Sequence, residues 1–496
     1  MYIKCMLLNS SERSFFEAIH QVSYANPFTD ALGDGERRAL GPAYTNAPAI
    51  WSLDMRDPLR QRENSWRLAE KTTTRIEAFR NKLLTGTTPT PHDLEFYEAA
   101  ALLTLYYRYY NQITETAFNT TKGKTRWAFY RDFARDFQYF YNLPISLPGN
   151  YTSAKVFALF VQIVRAFLRI FENVLGSSKP AGRLRAAIWQ SLFTHDMSRY
   201  GRTLSTRMGE FATLITGPSG TGKEVVAKTI AACRFQPFDE RTLTFPHEAD
   251  ALFLPINIAA LTPTLVESEL FGHRKAAFTG ATADRKGYLE ACPALGGVFL
   301  DELGEMSLDV QVKLLRVIET RQFTPVGDTQ PQRFEGKLLA ATNTNLAEAI
   351  AKGKFREDLY FRLCSDVIET PPLSKQLEES PQVLEELVRY MSFRSGGDEP
   401  FTQFAIQWIE TNLKHHHWPG NYRELEQCIR NLLIRGEYHP TKSINQTWLE
   451  QAREGQLTAD ELLTAYCRHV HNQTGTYEAT ATRLNLDRRT VRARVP

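Results

Sequence analysis

Gly217, Gly220, Gly222 and Lys223 stand at the spacing G-x-x-x-x-G-K within FATLITGPSGTGKE, residues 211–224. Glycines so placed let backbone N–H groups converge on an anion, and a lysine at the start of the following helix adds its charge to the helix dipole. The chemistry is that of a phosphate cradle for a nucleotide such as ATP, built from Gly217, Pro218, Ser219, Gly220, Thr221, Gly222, Lys223 and Glu224. Glu224 stands where the general motif has a Ser or Thr that ligates magnesium, so a metal must be held chiefly from elsewhere. Asp301 and Glu302, directly after Val298, Phe299 and Leu300, suit two jobs beside such a cradle. Asp301 would hold Mg2+ through water, and Glu302 would orient or deprotonate an attacking water. Asn343, ending a later apolar run, is placed to bond the same water or the terminal phosphate.

These residues need a scaffold that brings strand ends together. Apolar runs at 211–216, 253–258, 297–302 and 336–342 predict strands separated by helices, hence a parallel sheet covered on both faces with ligands at the carboxyl ends of its strands. After Pro371 and Pro372 the pattern turns helical. Residues 1–190 predict a mainly helical domain, with a strand-like opening at Tyr2–Leu8 and helices at 63–84, 92–118 and 126–142. Their many aromatics read as a packed core ahead of a stacking surface for a ligand or nucleic acid. Nothing in this region has the paired aspartates and later lysine of a phosphorylatable receiver.

The 496 residues, 43% hydrophobic and 23% charged, suffice for three or four domains of a multidomain α/β protein. A net charge of +3 confines any nucleic-acid contact to a local patch. Six scattered cysteines fit buried thiols in a reducing cytosol better than a disulfide framework or zinc site. The opening MYIKCMLLNSSERSFF lacks the features of a signal peptide, and Val156–Leu175 carries Gln162, Arg165, Arg169 and Glu172 at helical spacing. It reads as an amphipathic helix rather than a membrane span, so a cytoplasmic bacterial protein with no membrane partner is expected.

Together, residues 211–363 and 418–433 resemble the AAA+ domain of the bacterial enhancer-binding proteins, the ATPases that activate sigma-54 RNA polymerase. GPSGTGKE resembles the family's Walker A segment, where Glu after the lysine is usual, and GGVFLDELGEM its Walker B segment. ESELFGHRKAAFTGA resembles the segment bearing the sigma-contacting GAFTGA loop; here Ala276 replaces its first glycine, while Ala277, Phe278, Thr279, Gly280 and Ala281 are kept. The resemblance implies that Asn257 restrains the catalytic glutamate and that Asn343 is the sensor I residue. It also makes Arg356 and Arg362, in FREDLYFRL, arginine fingers inserted into a neighbour's site, and Arg423, in WPGNYREL, the sensor II arginine, with Asn421 as a helix cap. His415, His416 and His417 read as a solvated helix end rather than a metal site.

From about Asp460 the sequence predicts helices through LLTAYCRHVHN, TYEATATRL and DRRTVRARV, with a turn at Asn485–Leu486 and Asp487 capping the last. Ala479, Leu484, Leu486 and Val491 would form a small core, leaving Arg488, Arg489, Thr490, Arg492 and Arg494 to meet DNA. This resembles the Fis-type helix-turn-helix of many enhancer-binding proteins. The expected domains are thus 1–190 regulatory, 191–371 ATPase core, 372–450 helical lid and 451–496 DNA-binding.

The resemblance implies a homo-oligomer that binds upstream DNA as a dimer, forms a ring, hexameric in the family, and uses ATP and Mg2+ to remodel sigma-54 polymerase. The alternative, favoured by Ala276 alone, is a sigma-54-independent regulator or repressor whose AAA+ unit serves nucleotide-dependent oligomerisation.

Overall fold

The computed structural model describes residues 7–49, 62–85, 88–118, 125–247, 252–414, 416–440, 448–453 and 455–495. They divide into two compact units, Met1–Leu433 and Ile434–Pro496. The breaks expected near 190 and 371 therefore fall inside the first unit. The reason is a shared core: Phe157, Val161, Phe171 and Ile188 of the helical region pack in one cluster with Ile215, Val226, Ala227, Ile230, Phe299 and Leu339.

The strands are β1 (Thr213–Thr216), β2 (Phe253–Asn257), β3 (Gly297–Asp301), β4 (Gln322–Phe323), β5 (Gln332–Arg333), β6 (Lys337–Thr342) and β7 (Val367–Glu369). Five form one sheet in the order β2-β3-β6-β1-β7, all neighbours parallel, while β4 and β5 make a separate antiparallel pair. Four of the five were expected from sequence; β7 was not. Pro255, which cannot donate to a ladder, sits in β2 at the sheet edge.

Alternation along the strands splits the core in two. Ile215, Phe299, Leu339, Ala341 and Ile368 face the helical region and the helix Lys223–Ala232. Leu214, Val298, Leu300, Leu338 and Ala340 face the second cluster, with Leu314 and Leu359. Parallel pairing aligns the carboxyl ends: Thr216 with Thr342 and Glu369, and Asn257 with Asp301.

The helical region contains Ser10–Tyr24, Asp30–Leu40, Glu63–Leu84, Pro91–Phe118, Tyr130–Tyr141, Ser153–Asn173 and Lys179–Phe193. Local chemistry sets several starts. Asn9 and Glu12 form a reciprocal capping box, and Thr152 and Ser178 cap the last two helices. The aromatics read as core are largely that, with Phe133, Phe137 and Phe140 buried. Of the expected strand Tyr2–Leu8, only Leu7 and Leu8 lie among the described residues, and they form a bend. Among the described residues no helix is long and apolar enough to cross a membrane; Ser153–Asn173 instead buries Gln162.

In the second unit, helices Ala459–Thr474, Tyr477–Leu484 and Arg488–Arg494 are each capped by a side chain, from Thr458, Thr476 and Asp487. Asn485 takes a left-handed φ of 52° at the expected turn. Cys467, Ala481, Val491 and Val495 form the core, with Leu484 and Leu486 against it. Ala479, expected there, is exposed: the helix turns Ala481 inward instead.

Candidate functional site

The loop after β1 has the backbone that its glycines allow. Gly217, Gly220 and Gly222 have φ of 142°, 78° and 91°. A Cβ on Gly217 would lie 2.2 Å from Thr370 Oγ1 and one on Gly220 2.2 Å from Gly420 O, so at both positions the neighbouring chain also requires glycine. Among the described residues the amides of Gly220, Thr221, Gly222, Lys223 and Glu224 donate to no protein acceptor. They are free donors at a helix N-terminus, the arrangement that receives a phosphate.

Lys223 is buried, and its Nζ donates to Gly217 O at 2.9 Å and Pro218 O at 3.1 Å. Burial pulls its pKa below the ordinary value, while Glu302 and Asp301 oppose that pull. Both carboxylates follow from the sheet: Asp301 ends β3, and Glu302 takes a left-handed φ of 54° at the start of a short 3-10 turn. The Glu302 amide donates to Asp301 Oδ1 at 3.0 Å. Glu224 is exposed in the first turn of its helix. These residues fit a nucleotide with a bound metal ion: free amides and an ammonium for phosphate, and a half-buried carboxylate at the end of β3, one strand removed from β1 in the same sheet.

Other expected residues are differently engaged. Asn257, at the end of β2, accepts from the Ala260 amide at 3.2 Å and forms no bond with Glu302. Asn343 is exposed just beyond β6, its Oδ1 3.5 Å from Thr344 Oγ1. Arg356 pairs with Asp358 at 2.7 Å and Arg362 with Glu319 at 3.0 Å. Both guanidiniums thus rest on carboxylates of their own chain.

The segment 418–423 lies against the loop through several bonds. Arg423 Nη1 donates to Ser219 Oγ at 3.2 Å. The Tyr422 amide donates to Gly220 O at 3.1 Å. Asn421 was expected to cap its helix. Its buried side chain, at a left-handed φ of 53°, instead donates to Ser219 O at 2.8 Å and accepts from the Leu373 amide at 2.8 Å. Thr221 Oγ1 likewise meets Thr370 Oγ1 at 2.7 Å. Nothing local marks Asn421 or Thr370 beyond polar residues next to glycine or proline.

The expected solvated histidine end is a correction: His416 is half-buried, bonded to Glu424 Oε1 at 2.6 Å and edge-on to Trp418. His415 lies outside the described residues. Among the described residues no group of three His, Cys, Asp or Glu side chains is placed to hold a metal.

The loop 276–281 is a folded turn. Ala276 N donates to Ala281 O at 2.8 Å and Ala281 N to Phe278 O at 3.0 Å. Phe278 packs on the His273 ring at 4.9 Å, while Thr279 and Gly280 are exposed. Ala276 has φ 64°, and Gly280 φ 102°. The position thus keeps a glycine-like backbone although it carries a Cβ.

On the last helix, Arg489 and Arg492 are exposed, Thr490 is partly buried, and Arg488 pairs with Glu478 at 2.8 Å. Arg494 departs from expectation: it bonds Asp460 at 2.7 Å and Thr464 Oγ1 at 2.9 Å. It holds the helix to its neighbour.

Residues 193–369 match the family model described as the sigma-54 interaction domain. The chain is 39% identical over 239 residues to the luminescence regulatory protein LuxO of Vibrio campbellii, covering 48% of this chain and 49% of that protein. It is 42% identical over 224 residues to the Nif-specific regulatory protein of Azotobacter vinelandii, covering 45% and 40%. The matched stretch therefore spans about half the length of these relatives or less. A crystal structure of NtrX from Brucella abortus in complex with ADP matches with 24% identity over 70% of this chain and 75% of that one, at a TM-score of 0.39. What the comparisons show of this chain is thus a sigma-54 interaction domain across residues 193–369.

Proposed function

We propose that the chain is an ATP-hydrolysing transcriptional regulator that binds upstream DNA, assembles with copies of itself, and remodels closed complexes of sigma-54 RNA polymerase in a bacterial cytoplasm. The observation that carries this reading is the meeting of free cradle amides, Lys223 and the Asp301–Glu302 pair at the carboxyl end of one sheet, inside the segment that matches the sigma-54 interaction domain.

Lys223 exchanges the carbonyls of Gly217 and Pro218 for phosphate oxygens. Asp301 would hold Mg2+ through water, and that ion would neutralise charge on the phosphates. Glu302 orients the attacking water, and Asn343 bonds to it or to the terminal phosphate. Asn257 leaves Ala260 to restrain Glu302 in one state of the cycle. Arg423 reads the nucleotide from the lid. Arg356 and Arg362 leave Asp358 and Glu319 to enter the site of the adjoining copy, in an assembly that grows from a dimer to a hexameric ring. Turnover moves the loop 276–281 against sigma-54, with Phe278 leaving His273, while Arg489 and Arg492 lead the contact with DNA.

The test is ATP-dependent open-complex formation with purified sigma-54 polymerase on a promoter that the protein itself retains from genomic fragments. Activity that vanishes with Phe278→Ala supports the reading. Robust ATP turnover without open complexes, even after removal of residues 1–190, favours a sigma-54-independent regulator. The strained φ of Ala276 is the observation in favour of that second reading.

A further inference from the structure

The helical region contains a cavity of about 130 Å³ walled by Tyr106, Tyr107, Phe160, Phe167, Trp189 and Phe193. Its size is that of apolar cavities that take one benzene-sized guest. Among the described lining residues, which are mostly carbon, the one permanent charge is Arg62. Its guanidinium carbon lies 5.3 Å from the centre of the Phe167 ring, and Nη2 donates to Tyr107 Oη at 3.2 Å. Its Nε is buried without a hydrogen-bond partner. Among the described residues Arg62 forms no ion pair. Glu36, whose charge reaches it, accepts instead from Ser65 Oγ and is pushed by burial toward its neutral form.

A cation partly withdrawn from water and, among the described residues, without an ion pair is costly to keep. A guanidinium with unused donors is also the group that best receives a carboxylate, through two parallel hydrogen bonds. We propose that this cavity is a binding site for a small monocyclic carboxylate, its ring among the aromatic side chains and its carboxylate on Arg62.

The cavity is joined to the P-loop helix by a buried chain of hydrogen bonds. Tyr200, in the cavity wall, donates from Oη to Gln162 Oε1 at 2.8 Å. Gln162 Nε2 then donates at 2.9 Å to the carbonyl of Cys233, the C-cap of the helix that begins at Lys223. A ligand that displaces Tyr200 acts on the far end of that helix and so on nucleotide turnover. This second half rests on the ATPase reading; binding in the cavity does not.

Calorimetric titration of the full chain with benzoate, cyclohexanecarboxylate and benzyl alcohol tests both halves. Both acids bind, and the alcohol, which has no charge for Arg62, binds at least about tenfold more weakly. Arg62→Gln removes the preference and Arg62→Lys restores part of it. Leu103→Trp, a change to another residue of the wall that fills the cavity, blocks both acids and serves should Arg62→Gln fail to fold. Absence of benzoate binding at millimolar concentration, or equal affinity for benzoate and benzyl alcohol, overturns the site. Gln162→Leu keeps benzoate binding and loses any effect of benzoate on ATP turnover. Benzoate that binds the natural chain without changing turnover overturns the coupling and leaves the site standing; a chain with no turnover at all removes the ATPase reading while calorimetry still decides the cavity.

Discussion

Two sets of cations in the same domain meet opposite fates. Lys223 is buried in its own loop, already bonded where phosphate would lie and within reach of the charges of Glu302 and Asp301. Arg356 and Arg362 project from an exposed face and rest on Asp358 and Glu319. The difference lies in what fixes each group. The cradle and the carboxylates are set by backbone: positive-φ glycines, a helix start, and sheet register. The arginines are held only by surface ion pairs, which contribute about 0–1 kcal/mol and are easily exchanged. Under the proposed function, one half of the catalytic site is complete within a chain, and the other is free to be given to a neighbouring copy.

Removing the donated half should have the largest effect. Arg362→Ala is expected to slow ATP turnover by about 10³-fold or more, as for other fingers acting in trans. Mixing these subunits with Glu302→Ala subunits should restore part of the phosphate release. No restoration at any ratio would erase the distinction between the two halves. In the resident half, Lys223→Ala is expected to cost roughly 10²–10³-fold in turnover, the range for losing one preorganised donor at a developing charge. Intact turnover in this variant would mean that the cradle is not the site.

The resident half also depends on the helical region beneath its P-loop helix, which supplies a prediction on pH. Burial pushes the Glu98 carboxyl from its ordinary 4.5 to about 7. The native chain then keeps a proton that the unfolded chain releases, so this contribution to stability is fully present below pH 4.5 and is lost as pH rises through 7. The swing is ~3 kcal/mol. Melting temperatures should therefore show Glu98→Gln gaining on the natural chain between pH 4 and 8; parallel curves would remove Glu98 as the cause.

Smaller effects sharpen the comparison. Asn421→Ala cuts the side-chain bridge between Ser219 and Leu373, at a cost of about 1–3 kcal/mol in unfolding free energy. Nucleotide affinity should fall with it; an unchanged affinity would mean that the latch and the cradle are independent. Ala276→Gly relieves a left-handed alanine and should stabilise the loop by about 1 kcal/mol. Slower hydrogen exchange at residues 276–281 in this variant would confirm the relief, while faster exchange would show that alanine restrains the loop.

Much of the nucleotide site was legible in the chain because its parts are local. A strand, a glycine loop and a helix start occupy consecutive residues, and Asp301–Glu302 follow an apolar run that cannot be mistaken for a surface segment. What failed was short or long-range. Strand β7 has three residues, of which only Ile368 is buried, too few for a period to emerge, although the prolines that follow it were a boundary signal. Arg494 looked like its neighbours until Asp460 and Thr464, some thirty positions earlier, were brought to it. Ala481 rather than Ala479 enters the core because the rotation of a two-turn helix is set by its partners, not by its own pattern.

The amino-acid sequence by itself determined the glycine loop, the strands that carry it, the acidic pair and the three closing helices, since each rests on local backbone preference or on a hydrophobic period. Tertiary structure alone decided that the helical region and the parallel sheet share a core, that Asn421 and Thr370 bond to the glycine loop, and that Arg62 meets an aromatic cavity. Those outcomes depend on which distant surfaces exclude water together, and no stretch of chain read singly contains that information.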